Sequence, residues 1–547
     1  MLFQTPASPS LNVYPTCFKN RGMPYAPVAL RRAEEEVRPR KDSSVLKSFE
    51  LWPDATSTSH QPVALGWLAV LAVLAAVLRA IALNQQLWFD EIVTLLDSAR
   101  QPISQIVTAY NSQNQHMLYS ILAHYSIRWF GEQPWALRLP AVVFAVASIP
   151  ALYFFGRLVT TNREALLASA LMTVNYQHIW FSQNARGYTG MVLWTLLSSI
   201  FFIRSASDGK TRDWLCYGIV GSLGIYTHLM MAFVVAGHGV LYMWLLASRA
   251  RSLGRWPRKF LLPLYGFVLS GALSLLLYAP VMSRIFARTI GDTTKSVRYE
   301  WSSPIWAFLE TLRGLRTGTG GGLVAILVGG LLLLGGLLSY LRGNRFVVGL
   351  TVLPGLATAA AVLVTSHNLW PRFFFFEIGF AMLFVIRGAT VCGRIGARVL
   401  GGTEKLGLRL SAAVVVLMLF ASVIPLRAEY LHPKQDYLGA MKFVEEQRRP
   451  DEPVVTLGVV TTAYQRYYGQ PWPLLETRAQ LDAALETGHA TWLIYAMPVA
   501  VRASQPEIWE AVQAGFKIVR VFPGTLAGGE IYVCKSTDRG IAQTAAQ

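Results

Sequence analysis

Residues 63–83 read VALGWLAVLAVLAAVLRAIAL, and residues 87–100, which follow almost at once, read LWFDEIVTLLDSAR. The first stretch is apolar over about the 20 residues that an α-helix needs to cross a bilayer. The second places two adjacent carboxylates, Asp90 and Glu91, where the chain leaves the lipid. One acid at this boundary is ordinary interfacial charge, but a pair calls for a further chemical or structural reason.

The whole chain has the composition of an integral membrane protein. Its 547 residues are 53% hydrophobic and 15% charged, whereas soluble domains carry about 25% charged residues. The formal net charge is +18, and the surplus of Lys and Arg lies before residue 427. That distribution is typical of basic loops at a membrane face, not of a nucleic-acid-binding patch. The four cysteines are scattered, without the spacing of a zinc site or a disulfide framework.

Apolar stretches predict a polytopic α-helical membrane protein with about eleven transmembrane helices. The predicted spans are 63–83, 136–155, 165–181, 188–204, 214–229, 231–247, 260–281, 322–341, 346–365, 373–387 and 410–426. Lys and Arg are roughly threefold denser in the loops of one side, so we expect that side and the N-terminus to be cytoplasmic. An odd number of helices then places the C-terminal residues outside the cytoplasmic (inner) membrane.

Three regions are predicted along the chain. Residues 1–62 are polar and lack the apolar core of a signal peptide, which indicates a disordered cytoplasmic tail. Residues 63–426 form the membrane domain, with external loops at 84–134, where the spacing predicts amphipathic helices on the membrane surface, and at 282–320, where six cations cluster. Residues 427–547 alternate helix and strand patterns, which predicts a small external α/β domain.

The side chains that could carry chemistry all fall on the predicted outer face. They are the acids Asp90 and Glu91, and then His116, Arg186, His228 and Arg372. Each has an ordinary explanation, because acids end helices, histidines pack in cores and arginines reach to lipid headgroups. Together they suit one reaction: arginines bind a phosphate leaving group, while a carboxylate accepts the proton of an attacking hydroxyl. A sugar carried on polyprenyl phosphate fits that description, and no nucleotide-binding fingerprint is present.

Four motifs, in this order and topology, resemble the GT-C glycosyltransferases. They are WFDE after the first span, QHMLYSILAHY followed by ALRLP, FSQNARGYTG and IYTHLM. The nearest branch is that of the bacterial relatives of protein O-mannosyltransferases and of ArnT-type aminoarabinose transferases. The resemblance covers roughly residues 63–430 and is strongest between Leu87 and Thr227.

The resemblance implies roles for particular residues. The acid pair of the first external loop is essential in that family, and its aspartate is catalytic, which corresponds to Asp90 with Glu91 beside it. An HPPLYY-like segment matches His116 and Tyr119, although its prolines are missing here. The ARMY-like turn matches Arg186 and Tyr188.

The late Pro-Arg-aromatic stretch of the family corresponds to Arg372 and implies a phosphate contact. His228, in IYTHLM, is expected to bind substrate, as are His116, Tyr119 and Tyr188. Family members invert the anomeric carbon and use no nucleotide. We expect no cofactor and no metal site, because external acids are sparse, although metal dependence varies across the GT-C group.

Three functions remain open from the residues. An inverting transferase would move a sugar from a polyprenyl-phosphate donor to a glycan, lipid or protein hydroxyl. A transporter or flippase of lipid-linked saccharides would place ionisable residues at mid-membrane depth and often show inverted repeats. A non-catalytic assembly subunit would use its α/β tail to bind a partner. Loss of activity on replacing Asp90 would distinguish the first from the other two.

Overall fold

The computed structural model describes residues 61–111, 115–208, 210–253, 262–291, 322–364, 370–486 and 489–537. The predicted N-terminal tail lies outside these residues, apart from residues 61 and 62. So does most of the cation-rich 282–320 segment. Two of its six cations, Arg284 and Arg288, lie in the described helix Met282–Gly291. The guanidinium of Arg284 donates a hydrogen bond to the carbonyl of Thr108 at 2.7 Å.

Helices dominate the described part of the chain before residue 432. In chain order the α-helices of this part are α1 (Gln61–Ala80), α2 (Phe89–Thr94), α3 (Ile103–Thr108), α4 (Met117–Phe130), α5 (Pro134–Val159), α6 (Asn162–Val174), α7 (Tyr176–Ser182), α8 (Tyr188–Asp208), α9 (Thr211–Thr227), α10 (Met231–Leu253), α11 (Leu262–Tyr278), α12 (Met282–Gly291), α13 (Gly322–Gly343), α14 (Arg345–Val364), α15 (Ile378–Val399), α16 (Glu404–Val423) and α17 (Leu426–Leu431). A π-helical turn, Leu95–Ala99, continues α2, and a 3-10 turn, Pro371–Glu377, leads into α15.

A helix lies at each predicted span, but fewer are long and apolar enough to cross a membrane. Among the described residues eight qualify, and a ninth helix, Ala64–Ala80, is apolar but shorter. The predicted span 165–181 is interrupted at Asn175, whose backbone is extended and whose side chain caps α7. The multi-pass membrane protein is therefore confirmed, with a smaller number of clear spans than the sequence suggested.

Glycines bring two of the membrane helices into direct backbone contact. A Cβ atom at Gly336 of α13 would collide with the carbonyl oxygen of Phe384 in α15. A Cβ at Gly388 of α15 would collide in the same way with the carbonyl of Leu332 in α13. Small residues permit such close approach in lipid, where helix association depends on packing.

The C-terminal residues form the predicted α/β unit. Its four-stranded sheet has the order β1 (Val454–Leu457), β2 (Trp492–Ala496), β4 (Ile531–Ser536) and β3 (Phe516–Phe522). β1 and β2 are parallel, whereas β4 is antiparallel to both of its neighbours. Helices accompany the sheet: α18 (Tyr437–Gln447), α19 (Arg478–Leu485), α20 (Pro498–Ser504) and α21 (Pro506–Gly515).

Candidate active site

Asp90 lies in the first turn of α2, where its carboxylate meets two arginines from distant parts of the chain. The Nη1 atom of Arg186 is 2.5 Å from Asp90 Oδ2, and the Nη1 atom of Arg372 is 3.6 Å from the same oxygen. The aspartate side chain keeps 10% of its surface exposed. One carboxylate and two guanidinium groups therefore share a small, largely dehydrated space at one end of the helix bundle.

Arg186 is placed by the tight turn between α7 and α8. The glycine that follows it, Gly187, packs so closely that a Cβ there would lie 2.7 Å from the carbonyl oxygen of Thr227 and 3.1 Å from His116 Nδ1. A side chain at this position would push the turn away from α9. Arg186 itself is 2% exposed, and its guanidinium carbon lies 5.5 Å from the centre of the Tyr188 ring.

Arg372 approaches the site from the 3-10 turn that precedes α15. Its guanidinium carbon lies 4.9 Å from the centre of the Trp370 ring, and its side chain is 32% exposed. Its Nε atom is buried and has no hydrogen-bond partner within the described residues. The Trp370 ring therefore holds this arginine in orientation, while its Nε donor is left unsatisfied among the described residues.

Two histidines, His116 and His228, pack beside the arginines with ring centres 4.5 Å apart. Burial lowers the pKa of His116 well below its usual value, and the charge of Arg186 and the neighbouring His228 lower it further. Burial and the charges of Arg186 and Arg372 likewise lower the pKa of His228 to about 3. Both rings are therefore neutral at physiological pH.

The hydrogen bonds of the two rings indicate their tautomers. His116 bonds to the backbone of Thr227, and its Nδ1 lies on that side of the ring, which leaves Nε2 as the atom with a lone pair. That Nε2 is buried and has no partner in the part of the chain that the structure describes. His228 Nδ1 accepts a hydrogen bond from the Met230 amide at 3.2 Å, so the proton of this ring lies on Nε2.

Glu91 is next to Asp90 in sequence but lies in a different environment. Its two oxygens accept hydrogen bonds from Arg138 Nε at 2.7 Å and Arg138 Nη2 at 2.6 Å, from the Ala185 amide at 2.8 Å and from the Trp88 amide at 3.3 Å. Its exposed fraction is 0%. Burial alone would raise the pKa of Glu91, but the charge and hydrogen bonds of Arg138 outweigh it and lower the pKa. The carboxylate is thus a buried, fully bonded anion.

The two predicted tyrosines differ in what they can offer a substrate. Tyr188 packs its ring 5.0 Å from His228 and 5.6 Å from His116, so it forms part of the wall of the site. Tyr119 is fully buried and donates its hydroxyl to the carbonyl of Leu137 at 2.7 Å, which ties α4 to α5. Burial raises the pKa of Tyr119, and the negative charge of the nearby Glu91 raises it further.

Several residues near the site carried no sequence signal. Lys434 comes from the C-terminal unit, is 4% exposed, and donates to the carbonyl of Gln183 at 2.7 Å, with its Nζ 5.0 Å from the centre of the Trp180 ring. The adjacent Gln435 accepts a hydrogen bond from the backbone amide of Phe89, the first residue of α2, at 3.0 Å. Only the long-range fold brings these residues to Asp90, which lies some 345 positions earlier in the chain.

No group of three or more His, Cys, Asp or Glu side chains that could hold a metal ion occurs within the described ranges.

Part of the chain matches a known enzyme family. Residues 116–283 match the family described as dolichyl-phosphate-mannose-protein mannosyltransferase. This segment contains His116, Arg186, Tyr188 and His228, and it ends before Arg372. No curated protein sequence matches the chain.

Solved structures share the overall fold. ArnT from Cupriavidus metallidurans in the apo state is 12% identical, with a TM-score of 0.52 over 87% of this chain and 99% of ArnT. The chain has the GT-C fold. The same ArnT bound to undecaprenyl phosphate aligns with a TM-score of 0.49 at 13% identity, over 88% and 99% of the two chains. The oligosaccharyltransferase AglB from Archaeoglobus fulgidus, in complex with an inhibitory peptide and a dolichol-phosphate, aligns with a TM-score of 0.48 at 11% identity, over 87% and 74%.

The family match and the GT-C fold confirm the resemblance that the four sequence motifs indicated. Within this GT-C fold, six of the predicted site residues come together in one place: Asp90, Arg186, Arg372, His116, His228 and Tyr188. The other two, Glu91 and Tyr119, lie in the layer behind them.

Proposed function

We propose that this protein is an inverting glycosyltransferase that moves a hexosyl or pentosyl group from a polyprenyl-phosphate donor to an acceptor hydroxyl. The observation that carries the proposal is the carboxylate of Asp90 held between Arg186 and Arg372 in a GT-C fold. The match of residues 116–283 to a mannosyltransferase family supports the same reaction class. Solved structures hold ArnT bound to undecaprenyl phosphate and AglB in complex with a dolichol-phosphate, which supports a donor of that chemistry.

In the ligand-free protein the arginines neutralise Asp90. A lipid phosphate offers two or more negative oxygens in a geometry that guanidinium groups bind bidentately. Arrival of the donor therefore competes with the carboxylate for Arg186 and Arg372. As the arginines turn to the phosphate, Asp90 is released as a base.

Transfer then takes place in one step. Asp90 accepts the proton of the acceptor hydroxyl while the hydroxyl oxygen forms a bond to the anomeric carbon. The bond between that carbon and the phosphate oxygen breaks on the opposite face, which inverts the configuration. The electron pair stays on the lipid phosphate, and Arg186 and Arg372 stabilise the charge that develops there.

The supporting groups have separate roles in this proposal. The neutral His116 accepts a hydrogen bond from a sugar hydroxyl through Nε2, and Tyr188 and His228 form the wall against which the sugar rests. Glu91 positions α2 through Arg138 and does not exchange protons. The proposed organisation is a catalytic region at 63–426 and a C-terminal unit at 427–547, both with their functional surfaces outside the inner membrane.

The test is a donor-turnover assay on purified protein in lipid nanodiscs. Radiolabelled polyprenyl-phosphate sugars are incubated with wild type, Asp90→Asn and the control Asp482→Asn, which lies on the C-terminal surface helix α19. We expect Asp90→Asn to lower release of lipid phosphate by about a hundredfold or more, and Asp482→Asn to leave it unchanged. Wild-type protein that neither binds nor cleaves any donor would instead favour the transporter or assembly functions.

A further inference from the structure

Two π-helical turns meet beside Asp90. One is Leu95–Ala99, which continues the helix that carries Asp90, and the other is Ala463–Tyr467 in the C-terminal unit. π-Helical turns are rare and concentrate at functional sites. The two are joined by Arg466, whose Nη2 donates to Asp97 Oδ1 at 2.6 Å.

Four tyrosines line this junction and run from the buried site toward the surface. Tyr437 and Tyr464 are fully buried, with ring centres 5.6 Å apart. Tyr468 lies 6.5 Å from Tyr437, and Tyr467 lies 4.9 Å from Tyr468 with its plane turned by 77°. Tyr467 and Tyr468 are only half-buried. At the inner end, burial raises the pKa of Tyr437, and the charges of nearby groups that include Asp90 raise it further.

Two ion pairs lie around these rings. Arg466 faces Asp97, and Arg100 faces Glu132 across 2.5 Å. The uncharged polar groups include the tyrosine hydroxyls and Gln86, whose Oε1 accepts hydrogen bonds from the Tyr468 hydroxyl at 3.4 Å and from the Leu438 amide at 2.9 Å. The junction therefore presents flat aromatic surfaces and neutral hydrogen-bonding groups, together with the carboxylate of Asp436, which accepts a hydrogen bond from Gln86 Nε2 at 2.7 Å.

We propose that this junction, formed by Tyr467, Tyr468, Gln86 and the Asp97–Arg466 pair, binds a neutral saccharide as the acceptor. The C–H face of a sugar ring packs on a tyrosine ring, while its hydroxyls meet the tyrosine and glutamine polar groups. A peptide bound by strand addition would need a free strand edge, and none of the residues named here lies on a strand. The inference rests on the proposed glycosyl transfer, because the saccharide is the substrate that receives the sugar.

Binding is measured first without turnover. Full-length protein carrying Asp90→Asn, in nanodiscs and without donor, is mixed with mannotriose, with maltotriose or with a Ser/Thr-containing nonapeptide. Saturation-transfer NMR then reports which probe contacts the protein. We expect a signal from at least one trisaccharide and none from the peptide.

Variants locate that contact at the junction. Tyr467→Ala is expected to weaken trisaccharide binding on the order of tenfold, and Tyr467→Phe, which keeps the ring, to stay within about twofold. Tyr125→Ala removes a ring that is 39% exposed on helix α4 and serves as the control. In the transfer assay, Tyr467→Ala is expected to raise the acceptor KM, whereas the control Tyr125→Ala leaves both the acceptor KM and the release of lipid phosphate unchanged.

The outcomes separate this inference from the proposed reaction. Trisaccharide binding that depends on Tyr467, in a protein that cleaves no donor, supports the saccharide site and contradicts the transferase. Donor cleavage with peptide binding instead, or with trisaccharide binding that Tyr467→Ala does not weaken, overturns the saccharide site and leaves the transferase intact.

Discussion

Asp90 and Glu91 show how two adjacent residues with the same functional group come to do different things. Successive side chains on an α-helix point about 100° apart, so Asp90 faces the two arginines of the site while Glu91 faces Arg138 in the protein interior. Arg138 in turn donates to the carbonyls of Leu83 and Gln85. Glu91 thereby fixes the segment that joins the first membrane helix to α2.

We predict that Glu91→Gln acts mainly on stability. The substitution leaves Arg138 buried without its counter-charge, which typically costs about 3 kcal/mol or more. The melting temperature in nanodiscs should fall clearly, and activity should fall in proportion to the unfolded fraction. Glu132→Gln, which breaks an ion pair whose side chains are 39% and 42% exposed, is the control and should cost less than about 1 kcal/mol. A stable Glu91→Gln protein without activity would instead make Glu91 a participant in the chemistry.

His228 gives a pH-dependent prediction. Burial, and then the charges of Arg186 and Arg372, disfavour its protonation, and its pKa in the folded protein is about 3, against about 6.5 in an unfolded chain. Between these values the unfolded state binds a proton that the folded state does not bind, so stability is lost as pH falls from about 6.5 toward 3.

His228→Asn should therefore lessen the loss of melting temperature between pH 7 and pH 5, because the amide oxygen can still accept from Met230 but does not titrate. His489→Gln, at an exposed position of the C-terminal unit, is the control and should follow wild type. An unchanged slope in His228→Asn would mean that other groups cause the acid sensitivity.

At the scale of elements, the short helix α2 depends on the C-terminal unit. Its first amide, that of Phe89, donates to Gln435 Oε1, and the Nε2 atom of Gln435 donates to the carbonyl of Gly529. Gln435→Leu leaves the part-buried amide of Phe89 without this partner and lets the start of α2 shift relative to Arg186. We expect kcat to fall on the order of tenfold with little change in donor KM, since small displacements of a catalytic group are costly.

The matched control for Gln435→Leu is Gln505→Leu, which removes the same side chain from a hydrogen bond to the Leu475 carbonyl elsewhere in the C-terminal unit. The comparison uses the donor-release assay with both proteins at equal folded concentration. Equal activity of the two variants would show that α2 keeps its position without Gln435.

The sequence predicted elements more fully than contacts, for a physical reason. Hydrophobic runs and alternating patterns are local, so the helices and the strands at 454–457, 492–496, 516–522 and 531–536 could be placed from them. Asp90, Arg186 and Arg372 were named because acids and arginines are conspicuous at membrane boundaries. The partners Arg138, Lys434 and Gln435 could not be named, because nothing near them in sequence indicates what they face. The hydrophobic pattern does not show that the predicted span 165–181 is interrupted at Asn175, because the flanking residues are apolar on both sides.

At the scale of the whole molecule, the active-site geometry and the membrane orientation are linked. Gln435 and Lys434 contact the residues around Asp90 directly, and all the described residues belong to one compact unit. The Asp90 site therefore lies on the same side of the membrane as the C-terminal residues. A lipid-linked donor is the appropriate one outside the cytoplasm, where nucleotide sugars are absent, so orientation bears on the reaction itself.

We predict that cysteine labelling places the C-terminal unit outside. In a background without Cys17, Cys216, Cys392 and Cys534, single cysteines are introduced as Glu510→Cys on α21 and Thr403→Cys in the exposed turn before α16. In sealed right-side-out vesicles, a membrane-impermeant maleimide should react with Glu510→Cys at once and with Thr403→Cys only after lysis, because the basic segment around residue 403 is expected in the cytoplasm. The opposite pattern would turn the Asp90 site toward the cytoplasm. The site would then meet nucleotide sugars, and the argument for a lipid-linked donor would lose its topological basis. The pairing of Asp90 with two arginines would still need a phosphate-bearing substrate to explain it.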